Sequence, residues 1–275
     1  MSELAGLIDQ GTVAPRLWFY TNYHCNLTCR YCLTGSSPKA RRRVLEPHRI
    51  LALADEAIGL GFRCFGVSGG EPFLNPWLPR LARELARRAP LVLLTNGTLF
   101  TPRLLREVEP LADADVELQI SLDSADAIEN DDMRGPENFA KVVEAIPQLV
   151  ERGITVRVAT TIDKELPHDM NRLCELHRSL GVDDDHHIVR PIVHRGRATE
   201  HSLGIPAGLP QLFPELTVTA DGAFWSPFGA TARGDALDTE LLLTRQIEPL
   251  VRPLEALLGQ VRGLPPGTDA DLGIR

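Results

Sequence analysis

LWFYTNYHCNLTCRYC, residues 17–32, decides how the rest of the chain is read. Its opening, LWFYTNY at 17–23, is apolar and aromatic in the manner of a buried strand. The continuation places Cys25, Cys29 and Cys32 in a Cys-x3-Cys-x2-Cys run. Three thiolates from one short loop can hold three corners of a cubane iron–sulfur cluster and leave the fourth iron open to a small molecule. Zinc and ordinary buried thiols are the alternatives. A structural zinc ion usually takes four protein ligands, often from a second Cys or His pair. His24 adjoins Cys25, but the chain has no second CxxC and no HxxxH. Cys64 and Cys174 stand alone and read as core thiols. Five cysteines in 275 residues are too few, and odd in number, for a disulfide framework.

Outward from that loop, strand-like and helix-like segments alternate, the pattern of a parallel α/β fold. Strands are predicted near 17–23, 62–68, 91–95, 115–121, 154–161 and 186–191. Amphipathic helices are predicted near 47–60, 76–88, 101–110, 136–152 and 167–180. Glu46-Pro47 and Thr101-Pro102 are helix-start pairs, and Gly61, Gly153 and Gly181 fall where helices should stop. Six strands with intervening helices suggest a partial barrel over about residues 15–200. The segment 201–275 reads as an extension. It opens with a Gly- and Pro-rich connection at 204–214, followed by a hairpin at 216–226 turning on Asp221-Gly222. A helix over about 237–262 and a loose tail complete it.

Further motifs follow the cysteine run: GGEP at 69–72, LLTNGT at 93–98, ISLDS at 120–124 and MRG at 133–135. In this order, and with Tyr31 before the last cysteine, they resemble the radical S-adenosylmethionine (radical SAM) superfamily over roughly residues 15–200. The resemblance implies a (β/α)6 partial barrel of TIM type with the motifs at the C-terminal ends of its strands. It also implies one [4Fe–4S] cluster on Cys25, Cys29 and Cys32, with S-adenosylmethionine chelating the open iron. The reaction implied is reductive cleavage to a 5′-deoxyadenosyl radical, which abstracts hydrogen from an organic substrate.

The same resemblance assigns expected roles. Gly69 and Gly70 let backbone approach the ligand, Glu71 and the main chain up to Pro72 receive the ammonium, and Pro72 fixes the strand exit. Tyr31 lies near the adenine, with Val189 as an apolar wall. Asn96 reaches ribose or methionine, and Ser121 contacts the ligand. Arg134 meets the methionine carboxylate, as a guanidinium can with two parallel hydrogen bonds. Asp123 either orients Arg134 or faces substrate. The hairpin resembles the start of a SPASM or twitch extension, whose auxiliary clusters need cysteines. None follows Cys174, and Ser226-Pro227 occupy the neighbourhood of the expected one.

Some residues have two readings. Lys39, Arg41, Arg42 and Arg43 are either a solvated charge run or a docking patch for a flavodoxin or ferredoxin electron donor. His194, Arg195 and Arg197 either bind an anionic substrate group or dock the C-terminal segment. Asp183–Asp185 read as a solvated turn, with His186 and His187 opening a strand. The net charge of −8 argues against nucleic acid as the main partner. No apolar run is long enough to span a membrane, and the N-terminal residues do not read as a signal peptide. The cytoplasm is the expected location. The expected substrate is a peptide, as in maturation of ribosomally made peptides, or a small metabolite such as a sugar or nucleoside. A non-catalytic iron–sulfur or S-adenosylmethionine-binding protein is the reading from a different class.

Overall fold

The computed structural model describes residues 3–163, 169–208, 211–225 and 229–263. After helix α1 (Glu3–Asp9), six parallel strands lie side by side in chain order: β1 (Arg16–Tyr20), β2 (Cys64–Ser68), β3 (Leu91–Thr95), β4 (Val116–Ser121), β5 (Thr155–Ile162) and β6 (His187–Pro191). Helices α2 (Pro47–Leu60), α3 (Leu78–Ala86), α4 (Pro102–Val108), α5 (Ala127–Arg134), α6 (Asn138–Val150) and α7 (Met170–Ser179) make the crossovers. All six expected strands form, each within a few residues of its predicted bounds. This is the expected partial barrel.

Local chemistry fixes the helix ends. Pro47 opens α2, and Gly61 closes it in the left-handed region at φ 111°, with its N–H on Ala57 O and Ile58 O. Thr101 Oγ1 caps α4 by accepting from Leu104 N at 3.3 Å. Ile50, Leu53, Ala54 and Ala57 turn one face of α2 onto the sheet, fully buried. Each buried Leu or Ile of that kind contributes about 2 kcal/mol.

The extension departs from expectation. Its hairpin forms, as β7 (Leu216–Thr219) and β8 (Gly222–Trp225), but β7 pairs in parallel with β1. The hairpin therefore continues the barrel sheet on its other edge, giving the order β11-β8-β7-β1-β2-β3-β4-β5-β6. A short helix α8 (Arg197–Glu200) lies between β6 and β7. The helix expected over 237–262 is corrected: only α9 (Val251–Arg262) is helical. Before it come β9 (Ala232–Arg233) paired with β10 (Ala236–Leu237), and β11 (Leu242–Thr244) paired with β8. The bonds β8 offers outweigh local helix preference there. Ser226-Pro227 and most of the tail lie outside the described residues.

Candidate active site

The cysteine loop leaves the C-terminal end of β1 and is pinned from two sides. From β2, Gly70 N donates to Asn22 O at 2.7 Å and Glu71 N to His24 O at 3.0 Å. A Cβ on Gly70 would stand 2.3 Å from His24 O, and one on Gly69 2.8 Å from Thr21 Oγ1. The missing side chains thus make room first for the chain's own loop, while Gly69, Gly70 and Pro72 still border the cavity beyond it. From the segment after β6, Arg197 donates to Cys29 O (2.9 Å) and Ser36 O (2.6 Å), and its main-chain N–H to Cys32 O (3.0 Å).

All three thiols face one cavity of about 230 Å³, also bordered by Tyr31, Asn96, Ser121 and Arg134. Burial, then the Glu71 carboxylate, pushes the Cys25 thiol up. Burial likewise raises Cys29, to about 11. A metal that binds here must displace these protons, since cysteine ligates as the thiolate. Among the described residues no three His, Cys, Asp or Glu side chains converge enough to hold a metal ion. A cluster fits the donor set better, because each thiolate then takes its own iron. Leu27 N points at Cys25 Sγ (3.4 Å), as does Asn96 Nδ2 (3.8 Å), the kind of N–H to sulfur contact that tunes such clusters.

The strand-end residues divide by what they touch. Glu71 is fully buried. Its Oε1 accepts from Phe73 N (3.0 Å) and Thr95 Oγ1 (2.9 Å), and its Oε2 from Asn96 N (2.8 Å). The carboxylate ties the end of β2 to the turn after β3 and does not border the cavity. The carboxylate is turned into the strand ends, while Gly70 and Pro72, the other residues expected to meet the ammonium, border the cavity. Burial raises its pKa to about 6, against the three donors. Asn96 borders the cavity, but its side chain is bonded to Asn26 Oδ1 (2.9 Å) and Thr98 (Oγ1 2.7 Å), so it positions the Cys25 side of the loop.

Arg134, on the last turn of α5, is buried; its Nη1 donates to the Tyr31 hydroxyl and lies 3.3 Å from Asp123 Oδ2. Its Nε donates to Asn138 Oδ1 at 3.1 Å. Tyr31 in turn donates to Asp123 Oδ2, and Thr161 N to Asp123 Oδ1 at 2.9 Å. Asp123 therefore orients Arg134 and does not border the cavity, which decides between its two expected roles. Burial opposes the Arg134 charge, but Tyr31, Cys29 and Asp123 together hold its pKa above the ordinary value. Among the described residues neither its Nη2 nor the Ser121 hydroxyl has a hydrogen-bond partner, and both Arg134 and Ser121 border the cavity. Val189 is misplaced by the sequence reading: it is 38% exposed and outside the cavity. Its neighbour Arg190 lines the cavity instead.

Sequence reasoning missed α5 as a helix, although Asp126 caps it and Glu129 stands three residues on, a start signal present in the chain. It also left the basic segment after β6 undecided. Arg195 pairs with Asp238 (2.8 Å) and Glu240 (2.7 Å) and so docks the C-terminal segment, whereas Arg197 holds the cysteine loop and borders the cavity. His194 Nδ1 meets Leu203 O at 2.9 Å. In the basic run, Arg43 pairs with Asp221 at 2.5 Å and leaves the expected patch, while Lys39, Arg41 and Arg42 are exposed. Asp183–Asp185 lie in an exposed turn, and Cys174 Sγ stands 3.8 Å from His187 Nδ1.

The Radical SAM superfamily model matches residues 20–177. The chain belongs to the radical SAM superfamily. It is 33% identical over 203 residues to an AdoMet-dependent heme synthase of Methanosarcina barkeri, covering 71% of this chain and 56% of that protein. It is 29% identical over 184 residues to the mycofactocin maturase MftC of Mycolicibacterium smegmatis, covering 66% and 46%. The chain thus spans about half the length of these curated relatives. In fold it is similar to Streptococcus suis SuiB, with TM-score 0.68 and 13% identity over 95% of this chain and 71% of that one. The superfamily uses a [4Fe–4S] cluster and S-adenosylmethionine, which fits the thiol triad and the cavity beside it. Among the described residues no helix is long and apolar enough to cross a membrane.

Proposed function

We propose that this chain is a radical SAM enzyme that modifies a peptide. Cys25, Cys29 and Cys32 hold the cluster, and the cavity beside them takes S-adenosylmethionine and then substrate. Bound there, the cluster would supply the single electron that reductive cleavage of S-adenosylmethionine needs, and with it radical chemistry at a substrate C–H bond. The chain's own residues position and exclude. The Arg134 Nη2 and the Ser121 hydroxyl offer donors to a ligand's polar groups. Glu71, Asn96 and Asp123 keep the strand ends in register with the thiols. The carrying observation is that the three thiols, Gly69–Gly70, Ser121 and Arg134 border one cavity.

A peptide substrate is supported by relatives of two kinds: MftC is named a maturase, and SuiB has been solved bound to the precursor peptide SuiA. Identity to a heme synthase favours a small metabolite as the second reading. The electron donor in this reading is a flavodoxin or ferredoxin in the cytoplasm, met by exposed Lys39, Arg41 and Arg42. Anaerobic reconstitution with iron and sulfide, followed by dithionite and S-adenosylmethionine, should release 5′-deoxyadenosine. An intact cluster, absorbing near 400 nm, with no 5′-deoxyadenosine would sink the reading.

A further inference from the structure

The inward-facing arginines of the barrel carry unequal compensation. Arg134 lies 3.3 Å from Asp123, Arg157 2.9 Å from Glu117, and Arg16 4.0 Å from Glu215. Arg197 is bonded to the carbonyls of Cys29 and Ser36. Arg190 has neither kind of partner. It stands on β6 opposite Thr161 of β5, and both residues line the cavity. Its Nε is closed off from solvent and unbonded, and among the described residues no carboxylate oxygen lies within 4.0 Å of it. Burial presses its pKa down, with Tyr31 and Asp123 acting the other way from a distance. A half-buried cation without a counter-charge costs free energy. Such a cost is retained where a ligand removes it.

We propose that Arg190 binds a carboxylate of the substrate, so the cavity takes an anionic organic molecule. For a peptide substrate this is an acidic side chain or a free C-terminus beside the reacting residue. The inference deepens the enzymatic reading above and rests on it for the word substrate. S-adenosylmethionine also carries a carboxylate, but Arg134 adjoins the thiols, its carbonyl 3.6 Å from Cys29 Sγ. Arg190 feels Tyr31 and Asp123 first, then Arg157 and Glu215, but Asp123 is already bonded by Tyr31 and paired with Arg134. Arg16, Arg134 and Arg157 each face a carboxylate, so the surplus positive charge falls on Arg190. The guanidinium fork suits a carboxylate better than a neutral amide.

The test uses cluster-loaded enzyme with S-adenosylmethionine present, titrated calorimetrically with N-acetyl-glutamate amide and its isostere N-acetyl-glutamine amide. The glutamate form should bind about tenfold more tightly, the difference a charge-assisted contact makes over a neutral one. Arg190→Met should erase that preference and leave S-adenosylmethionine affinity unchanged. Removing an uncompensated cation should also raise the melting temperature, by about 3 °C. Equal affinity for the two probes in the unsubstituted enzyme overturns the proposal. So does a large loss of S-adenosylmethionine affinity in Arg190→Met, which moves the contact to the cofactor, or a lower melting temperature, which makes Arg190 a structural cation. Failure of the radical reading shows separately, as absent 5′-deoxyadenosine, because neither binding nor melting depends on turnover.

Discussion

The charged groups at the mouth of the barrel and those deeper in its lumen are treated differently by the fold. At the mouth, both oxygens of Glu71 and both of Asp123 accept hydrogen bonds, and Arg134 donates through Nε and Nη1. Deeper, Arg16 Nε, Glu117 Oε1, Arg157 Nε and Arg190 Nε are all buried without a partner. Glu215 has one donor, Trp18 Nε1 at 3.1 Å. The mouth is thus fixed before any ligand arrives, as positioning for catalysis requires. The lumen keeps hydrogen-bonding capacity in hand, as recognition of a polar molecule requires. Substitutions at the mouth should therefore cost stability, while those in the lumen should mainly shift selectivity or pH response.

The largest effect is expected at Asp123→Ala. It strips Arg134 of its carboxylate, Tyr31 of its acceptor and Thr161 N of its partner, and breaking a buried pair in this way costs about 3–5 kcal/mol. Urea denaturation measures it; a loss under 1 kcal/mol would show that the mouth is not held by this network. Next comes Glu71→Ala, which orphans Phe73 N, Asn96 N and the Thr95 hydroxyl and should cost about 3 kcal/mol. Reduced iron retention after reconstitution should accompany it, because Glu71 anchors the main chain of Asn96, whose side-chain Nδ2 points at Cys25 Sγ.

The lumen should respond to pH instead. Burial raises the Glu215 pKa to about 7 from the ordinary 4.5, with Arg16 acting against it. The folded state then binds more protons than the unfolded state between those values. Its contribution to stability is full below about pH 4.5 and is lost as pH rises through about 7. Glu215→Gln, uncharged throughout, should gain on the unsubstituted protein by about 2 kcal/mol between pH 5 and pH 7.5. A pH-independent difference between the two would mean that Glu215 stays ionised. Smallest of all in stability is the exterior: reversing Lys39, Arg41 and Arg42 to Glu should leave the melting temperature within about 1 °C, since surface changes rarely exceed 0.5 kcal/mol. Reduction of the cluster by flavodoxin should nevertheless slow about tenfold at low salt. An unchanged rate would remove the docking patch.

The six strands and the cysteine loop were legible because their signals are local: apolar runs, helix-start prolines and closely spaced thiols. What was not legible follows from orientation and partnership. Val189 and Arg190 are adjacent, and alternate strand residues face opposite ways, so a one-residue error of phase exchanged wall for exterior. Glu71 belongs to a motif, but a motif does not say which way a carboxylate points. Residues 237–250 lost their expected helix because β8, outside that stretch, offers β11 a strand to pair with. Arg195 and Arg197 could be assigned only when Asp238, Glu240 and the carbonyls of the cysteine loop were seen beside them.

The clamp on that loop has a consequence for how the chain comes into being. Thr231 Oγ1 donates to Leu33 O at 3.0 Å and Ala232 N to Thr34 O at 2.8 Å, in addition to the bonds from Arg197. A ribosome makes the three cysteines long before it makes these donors, and chains fold from their N-terminal end as they emerge. Throughout that interval the carbonyls of Cys29, Cys32, Leu33, Thr34 and Ser36 lack the groups that later hold them. The cradle for iron is begun early in synthesis and finished only when most of the chain has been made.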